Sequence, residues 1–514
     1  MALLAVWAAA WLIVNPRANV PVIDDWVYAW SVEHLLETGR LQVLDISAFY
    51  PVAQVLWGAL VARFAGFSFV VLRGSTVVLS ALGCAAVYLT LRELGSRRST
   101  SLLGALALAF DPVYFALSFS FMTDVPFVSI STIALYWYVR SVRRDETWAA
   151  WVGCACAVAA FLVRPIGIVL PVAMLTALIG KPLRRAAPIV ATLLLIGAMQ
   201  IEMPRMLGAL DWAAIRENYL SWWFTVPLAS YLRWNVEVAI VSVFPIAPLL
   251  IAYAADRRRV IVAAAAAIAL AIGCRVAFGQ LLTPLIDGQT WSLQDIAARM
   301  MFDGEVGSSA WVLRAAPFVA ALGLVAIAAA SVIGLRGARR FRECRRADLA
   351  VVTLIGLHVV CINALWLFND RYYMVLAPLL AIVGAQALDG ERRGRLIACA
   401  LIVVWAVIAI SGTRDMLGVN EAAMLVERQL EADGVPSWDI DAGYAFNGWR
   451  LYAHPEHLPP GANRRFDVPF VTSNRPTHYS ITNRPLPHSE VLRIVPLERA
   501  TWQATRVLYI VRRP

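Results

Sequence analysis

Apolar residues in this chain do not scatter as they would around a water-soluble core. They gather into blocks of roughly 15 to 23 residues, set apart by short charged loops. About 20 apolar residues in a helix cross the hydrocarbon of a bilayer. Such blocks, repeated along a chain, leave few folds open besides a bundle of membrane helices. We place thirteen spans, at 1–14, 69–91, 101–119, 122–139, 147–163, 165–180, 186–201, 236–254, 260–281, 311–334, 347–368, 372–388 and 396–411. The expected fold is an all-α polytopic membrane protein. Composition agrees, with 60% apolar and only 16% charged residues, where a soluble domain carries about a quarter.

The surplus of positive charge, +10, is a topology signal rather than a footprint for nucleic acid. Arginine supplies all of it except Lys181, and it concentrates in "RELGSRR", "RSVRRDE", "KPLRR", "DRRR", "RGARRFRECRR" and "ERRGR". Basic residues collect in cytoplasmic loops, and all six of these loops fall on one side of the thirteen-span plan. The N-terminus is then cytoplasmic and the C-terminal segment extracytoplasmic, in a multi-pass protein of the plasma membrane. The first block lacks a basic leader, which favours an uncleaved first span over a signal peptide.

Three loops on the other side are long: 15–68, 202–235 and 282–310. Within the first, "WVYAWSVEHLLETGRL" reads as an amphipathic helix lying along the membrane surface and stopped at Gly39. Beyond residue 411 the chain turns polar and rich in Pro and Asn. "NEAAMLVERQLEADG" reads as a helix with a stop at Gly434, and "RIVPL" and "RVLYIV" read as strands. The plan is a transmembrane region over 1–411 and a small α/β extracytoplasmic domain over 412–514. Seven cysteines (Cys84, Cys154, Cys156, Cys274, Cys344, Cys361, Cys399) lie in apolar blocks or inner loops, so no disulfide framework is implied. Cys154 and Cys156 read as small packing residues.

Charge near membrane interior is costly and marks function by default. The stretch "NVPVIDDWVYAW" sets Asp24 and Asp25 at the exit of the first span, with Trp26, Tyr28 and Trp30 as interface anchors. At the same depth stand Asp111, Asp124 in "SFMTDVPF", Arg73, Arg164 in "LVRPIG", Arg275 and Arg371 in "NDRYYMVLAP". Plainer readings stand beside the functional one. Arg164 and Arg371 are also placed to snorkel to headgroups, and Asp111 precedes Pro112, where it would break or cap a helix. Asp124 is placed to be an N-cap. Trp212, Tyr219, Trp222, Trp223, Tyr231 and Trp234 read first as an aromatic belt and only second as a sugar-stacking surface. Acids and arginines meeting at one water–lipid boundary would suit a lipid-linked phosphate substrate.

The order of these features resembles the GT-C glycosyltransferases. The acidic pair, "YPVAQVLWGAL", the Gly and Arg entering the second span, "MTDVPF", "RPIG" and "RYYMVLAPLL" look most like the protein O-mannosyltransferase and aminoarabinose-transferase group and its bacterial members. The resemblance is specific over 19–130 and faint in the tail at "DAGYAFNGWRLY". It implies transfer of a sugar from a polyprenyl-phosphate donor to an acceptor hydroxyl (of a protein, lipid or polysaccharide) at the outer face. No nucleotide sugar is needed, in keeping with a chain that carries no phosphate-cradling glycine loop. Carried over, Asp24 matches the family's catalytic acid, Asp25 stands where a Glu is usual, and Asp124 matches the acid of the second motif. Asp25 and Asp124 would position the base or the acceptor. Arg371, with Arg164 and Arg73, would hold the lipid phosphate, with Tyr372 and Tyr50 as further substrate contacts. Residues 50–54, Tyr-Pro-Val-Ala-Gln, replace the His/Pro-rich motif of the family. Acid pairs in other GT-C enzymes hold a divalent cation, Mg or Mn; here outward-pointing ligands are few and no metal site is assigned.

The chemistry asks for these side chains on its own terms. A carboxylate can take the proton of a weakly nucleophilic hydroxyl. Guanidinium groups match the charge growing on a departing phosphate, and one such contact is worth about 3 kcal/mol of barrier. A transporter or flippase of lipid-linked sugars is the alternative class. It should show inverted repeats and polar groups at mid-bilayer, whereas here the acids gather at one interface and no internal repeat is visible.

Overall fold

The computed structural model describes residues 2–179, 181–208, 246–255, 346–364, 370–468, 477–498 and 506–514, with isolated helical positions between 243 and 333. Arg275, the aromatic series from Trp212 to Trp234, the 282–310 loop, part of the span expected at 236–254 and most of those expected at 260–281 and 311–334 lie outside the described residues.

The described chain is mostly helical and ends in a small sheet. The first ten helices are α1 (Ala2–Val14), α2 (Asp25–Thr38), α3 (Val52–Ala65), α4 (Phe69–Glu93), α5 (Arg98–Ala109), α6 (Pro112–Ser118), α7 (Asp124–Arg144), α8 (Thr147–Phe161), α9 (Val169–Ala177) and α10 (Ala187–Leu207). Among the described residues three helices are long and apolar enough to cross a bilayer: α4, α10 and Arg392–Ala432. The pair α5 and α6 would make a fourth, bent by 66°. The other described apolar blocks form shorter helices, or, for α7, a helix of 21 residues that ends in arginines.

The apolar block at 101–119 is bent between α5 and α6, at the Asp111–Pro112 break the sequence suggests, and its cause is local. A residue before proline is pushed out of the helical region, and the Asp111 carboxylate accepts hydrogen bonds from the Val113 and Tyr114 amides at 2.9 and 3.0 Å, capping α6. The capping reading of Asp111 is therefore the one observed. A similar break occurs at Pro165–Ile168, a 3₁₀ turn that enters α9.

Helices α4, α6 and α7 are stitched by buried hydroxyls. Ser80 donates to Ser118 at 2.7 Å, and Tyr114 hydrogen-bonds with Ser129 at 2.9 Å. Gly83 permits that closeness: a Cβ there would lie 2.8 Å from both the Ser129 and the Tyr114 hydroxyl oxygens. These bonds fix α7 against its neighbours, so the residue opening α7, Asp124, has a fixed address. At its far end Arg144 pairs with Glu93. With 1.5 Å of rise per residue, the two ends of α7 are about 30 Å apart, the thickness of a bilayer core.

The first long loop is built rather than irregular. It contributes α2 and α3, and α2 ends at Gly39 in the left-handed conformation, φ 68°. Only the second half of α2 presents open surface, because Trp26, Val27, Tyr28, Ala29, Ser31 and Val32 are buried. The expectation of a helix lying freely on the membrane holds for neither of its first two turns. Packing against α3 and against the tail is the reason. Trp26 lies between Tyr444 and Tyr452, its ring centroid 6.0 and 5.9 Å from theirs, so it is a core residue and not an interface anchor.

No break separates membrane part and tail at residue 411. One helix runs from Arg392 to Ala432, 41 residues, and stops before Gly434, where φ is 88°. At 1.5 Å per residue it is about 60 Å long. Its last turns present Val419, Ala423, Val426 and Leu430 to the sheet residues Ile440, Ile481, Leu508 and Ile510. The four strands, β1 (Ile440–Asp441), β2 (Tyr479–Thr482), β3 (Glu490–Pro496) and β4 (Val507–Arg512), lie in the order β1-β2-β4-β3. β1 pairs with β2 in parallel and the other pairings are antiparallel.

Candidate active site

Asp24 precedes α2 and makes no capping bond with its carboxylate. It turns instead to Arg371, whose guanidinium lies 3.0 Å away. Asp124 opens α7 with a fully buried side chain, and Arg164 pairs with it at 2.8 Å while donating to the Thr123 hydroxyl at 2.9 Å. The N-cap reading of Asp124 does not apply: Thr123 is the capping position and makes no side-chain cap bond. Neither arginine snorkels. Their side chains are 13% and 14% exposed and aim at acids.

Both ion pairs border one cavity of about 370 Å³. Tyr372 ties them together, its ring 5.5 Å from the Arg371 guanidinium and 5.8 Å from that of Arg164. The Phe49 ring also lies 5.6 Å from the Arg164 guanidinium. Cationic faces over aromatic rings keep their hydrogen-bonding edges turned elsewhere. Tyr28 and Tyr444 bring hydroxyls to the wall, and Ile46, Val128, Ile166, Ile362 and Val375 bring apolar surface. Burial, with the charge of Asp24 next, pushes the Tyr28 and Tyr444 hydroxyls up from the ordinary phenol range, so both are proton donors at neutral pH. The cavity thus combines two acids, two arginines, phenolic donors and a greasy wall.

Three of the residues expected at the site stand elsewhere. Asp25 is buried and takes hydrogen bonds from the Val22 amide at 2.7 Å and the Phe121 amide at 3.4 Å. Burial pushes its carboxyl up to about 7, against the pull of Arg73 and of those two amides. Arg73 is also buried. It donates to the Ala18 carbonyl at 2.5 Å and to the Val20 carbonyl, holding the strap between α1 and α2. Tyr50 donates to the Gly208 carbonyl at 2.5 Å and so tethers the end of α10. None of the three borders the cavity. The physical reason is shared: a polar group sealed from water must be matched by protein partners, and in each case those partners belong to the scaffold.

Asp24 and Asp25 therefore do not form a two-carboxylate ligand set. Asp24 and Asp124 are each matched by an arginine, and no group of three or more His, Cys, Asp or Glu stands together among the described residues. These donors fit a divalent cation poorly, and no step below is routed through one.

Tyr28, Phe49 and Tyr444 were not singled out by sequence as site residues. The signal that existed was thin: "DAGYAFNGWRLY" for Tyr444, and the aromatics after the acid pair for Tyr28.

The described chain is mostly helical and brings two acid–arginine pairs to one cavity. Residues 51–206 match the family model described as dolichyl-phosphate-mannose-protein mannosyltransferase, in keeping with the resemblance carried by the motifs within that range. Among solved structures it is similar to ArnT from Cupriavidus metallidurans in the apo state, at 15% identity and a TM-score of 0.45, over 87% of this chain and 75% of that one. ArnT bound to undecaprenyl phosphate matches at 14% identity and a TM-score of 0.45, over 99% and 97%. The Archaeoglobus fulgidus oligosaccharyltransferase complex with zinc and sulfate matches at 13% identity and 0.44, over 84% and 56%. No curated protein matches the chain.

Proposed function

We propose that this protein is a membrane glycosyltransferase that moves a sugar from a polyprenyl-phosphate donor to an acceptor hydroxyl at the outer face of the plasma membrane. The observation that carries the reading is the convergence of Asp24–Arg371 and Asp124–Arg164 on one cavity. That cavity opens at the end of α7 opposite the basic loops. A lipid phosphate at the membrane boundary would meet arginines there, and its prenyl chain would meet apolar surface.

In this reading Asp24 takes the proton of the acceptor hydroxyl as the new bond forms between that oxygen and the anomeric carbon. The bond between the anomeric carbon and the phosphate oxygen breaks, and the electron pair leaves with the polyprenyl phosphate. Arg371 and Arg164 stabilise the charge on that phosphate, and Asp124 keeps Arg164 turned to the cavity. Tyr372 braces both guanidinium groups. Asp25 and Arg73 support the loop that carries Asp24, Tyr50 tethers the end of α10, and none of the three takes part in the chemistry.

The test supplies membranes or purified protein with a labelled undecaprenyl-phosphate sugar and follows transfer. Asp24→Asn should lower the rate by about 100-fold or more in the protein that remains folded and membrane-inserted. Equal transfer by a normally folded Asp24→Asn protein would remove Asp24 from the role of base.

A further inference from the structure

Asp24 faces more than an arginine. Tyr444, more than four hundred residues further along the chain, lines the same cavity, near enough to Asp24 for the carboxylate's charge to act on its hydroxyl. Among the described residues it is the one member of the 412–514 tail at the cavity wall.

The turn that carries Tyr444 is built independently of the cavity. Gly443, at φ 89° and ψ 175°, has a conformation that residues with a Cβ avoid. Asp441 accepts hydrogen bonds from the Gly443 amide at 3.2 Å and from the Asn447 side chain at 2.7 Å. Asn447 in turn accepts from the Ala442 amide at 3.2 Å. This closed set of bonds holds Tyr444 at the start of a four-residue helix, Tyr444–Asn447.

The same segment grips the turn that presents Asp24. A Cβ on Gly448 would lie 2.3 Å from the Trp26 ring, so only glycine lets the tail lie so close. Tyr452 meets the edge of Trp26, and its hydroxyl bonds to Asp45 at 3.2 Å. Arg464 reaches the same Asp45 at 3.0 Å. The tail therefore docks on α2 and the loop after it, at the residue two positions beyond Asp24.

We propose that the tail completes the active site: Tyr444 is a positioning residue for Asp24, and the membrane region by itself holds an unfinished centre. This rests on the transfer reading given above. A carboxylate has about four acceptor sites and rotates freely about its last torsion. Arg371 claims one side of Asp24, and the Tyr444 hydroxyl claims another. With two partners the carboxylate has one orientation, which leaves a defined oxygen edge for the acceptor hydroxyl. Misorientation of a base by a fraction of an ångström is costly to rate. The tail thus couples its own docking to turnover.

The experiment compares wild type, Tyr444→Phe, Asp24→Asn and the double variant in the undecaprenyl-phosphate-sugar transfer assay. Tyr444→Phe keeps the ring in the wall and removes only the hydroxyl. We expect its kcat to fall by about 10- to 100-fold, the scale of one hydrogen bond to a charged group, with KM for the donor unchanged. In the Asp24→Asn background the same change should cost less than about twofold, because the partner it orients is gone. Gly448→Ala, which drives a methyl group into Trp26, should lower kcat as well in a protein that remains folded and membrane-inserted. Asp24→Asn inactive with Tyr444→Phe at wild-type rate would overturn the positioning role and leave the transfer reading standing. Asp24→Asn at full rate would overturn both. A Tyr444→Phe loss that appears in KM, or that is just as large in the Asp24→Asn background, would also overturn it, since a merely structural tyrosine behaves that way.

Discussion

Asp24 and Asp25 are neighbours in sequence with different surroundings. Asp24 borders the cavity beside Arg371, and Asp25 is sealed against two backbone amides with Arg73 nearby. An asparagine there has a single acceptor oxygen for two buried amides, and leaving one amide unsatisfied costs about 1–3 kcal/mol. Asp25→Asn should therefore act on stability, lowering the midpoint of thermal unfolding in detergent, while the surviving folded protein keeps a rate much closer to wild type than Asp24→Asn does. A rate loss in Asp25→Asn as deep as in Asp24→Asn, without loss of stability, would put Asp25 back in the chemistry. Arg164→Lys keeps the charge but loses the planar fork that reaches Asp124 and Thr123 together. It should reduce transfer by about tenfold, read as kcat/KM in the same assay.

At the scale of elements, the contact of interest is between α2 and the tail segment that follows Tyr444. His454 reaches Glu33 on α2 at 3.4 Å and Glu456 at 3.2 Å, and its ring meets Trp449 and His457. Its hydrogen bond to Glu33, ahead of an opposing effect of burial, raises the imidazole above its ordinary value. A histidine raised on folding contributes stability that is fully present below its unfolded value, about 6.5. That contribution is lost as pH climbs through the raised folded value. Docking of the tail on α2 should therefore loosen as pH rises above about 6.5 and through the raised value. Hydrogen exchange at residues 448–458 measured across that range should show protection falling with pH. Glu33→Gln should flatten the profile, and an unchanged profile in that variant would assign the pH response to another group.

For the molecule as a whole, the thirteen-span plan with the tail outside makes a prediction about sidedness. Glu456 is exposed on the tail close to α2. With the native cysteines replaced, Glu456→Cys should react with a membrane-impermeant thiol reagent in intact cells. A cysteine at Arg144, whose side chain is 51% exposed in a basic loop, should be protected until the membrane is opened. The opposite pattern would invert the topology and with it the face at which transfer occurs.

Much of this molecule was legible from local sequence because the governing physics is local. Apolar blocks must satisfy their backbone groups within a helix, Asp before Pro must break one, and Gly434 and Gly39 mark helix ends through conformations that other residues avoid. The acids and arginines at the ends of spans were legible for a related reason: charge near a bilayer is too costly to be placed idly. What sequence could not decide was direction. Successive residues at a helix start point about 100° apart, so which of Asp24 and Asp25 meets the cavity depends on where Arg371, Arg73 and the Phe121 amide lie. Those groups arrive from distant parts of the chain. Tertiary packing likewise made Trp26 a docking core instead of an anchor, set Arg73 and Tyr50 to scaffold duty, and brought Tyr444 beside Asp24. Pairwise burial at such separations depends on how the whole chain is arranged, and no local rule in the sequence encodes it.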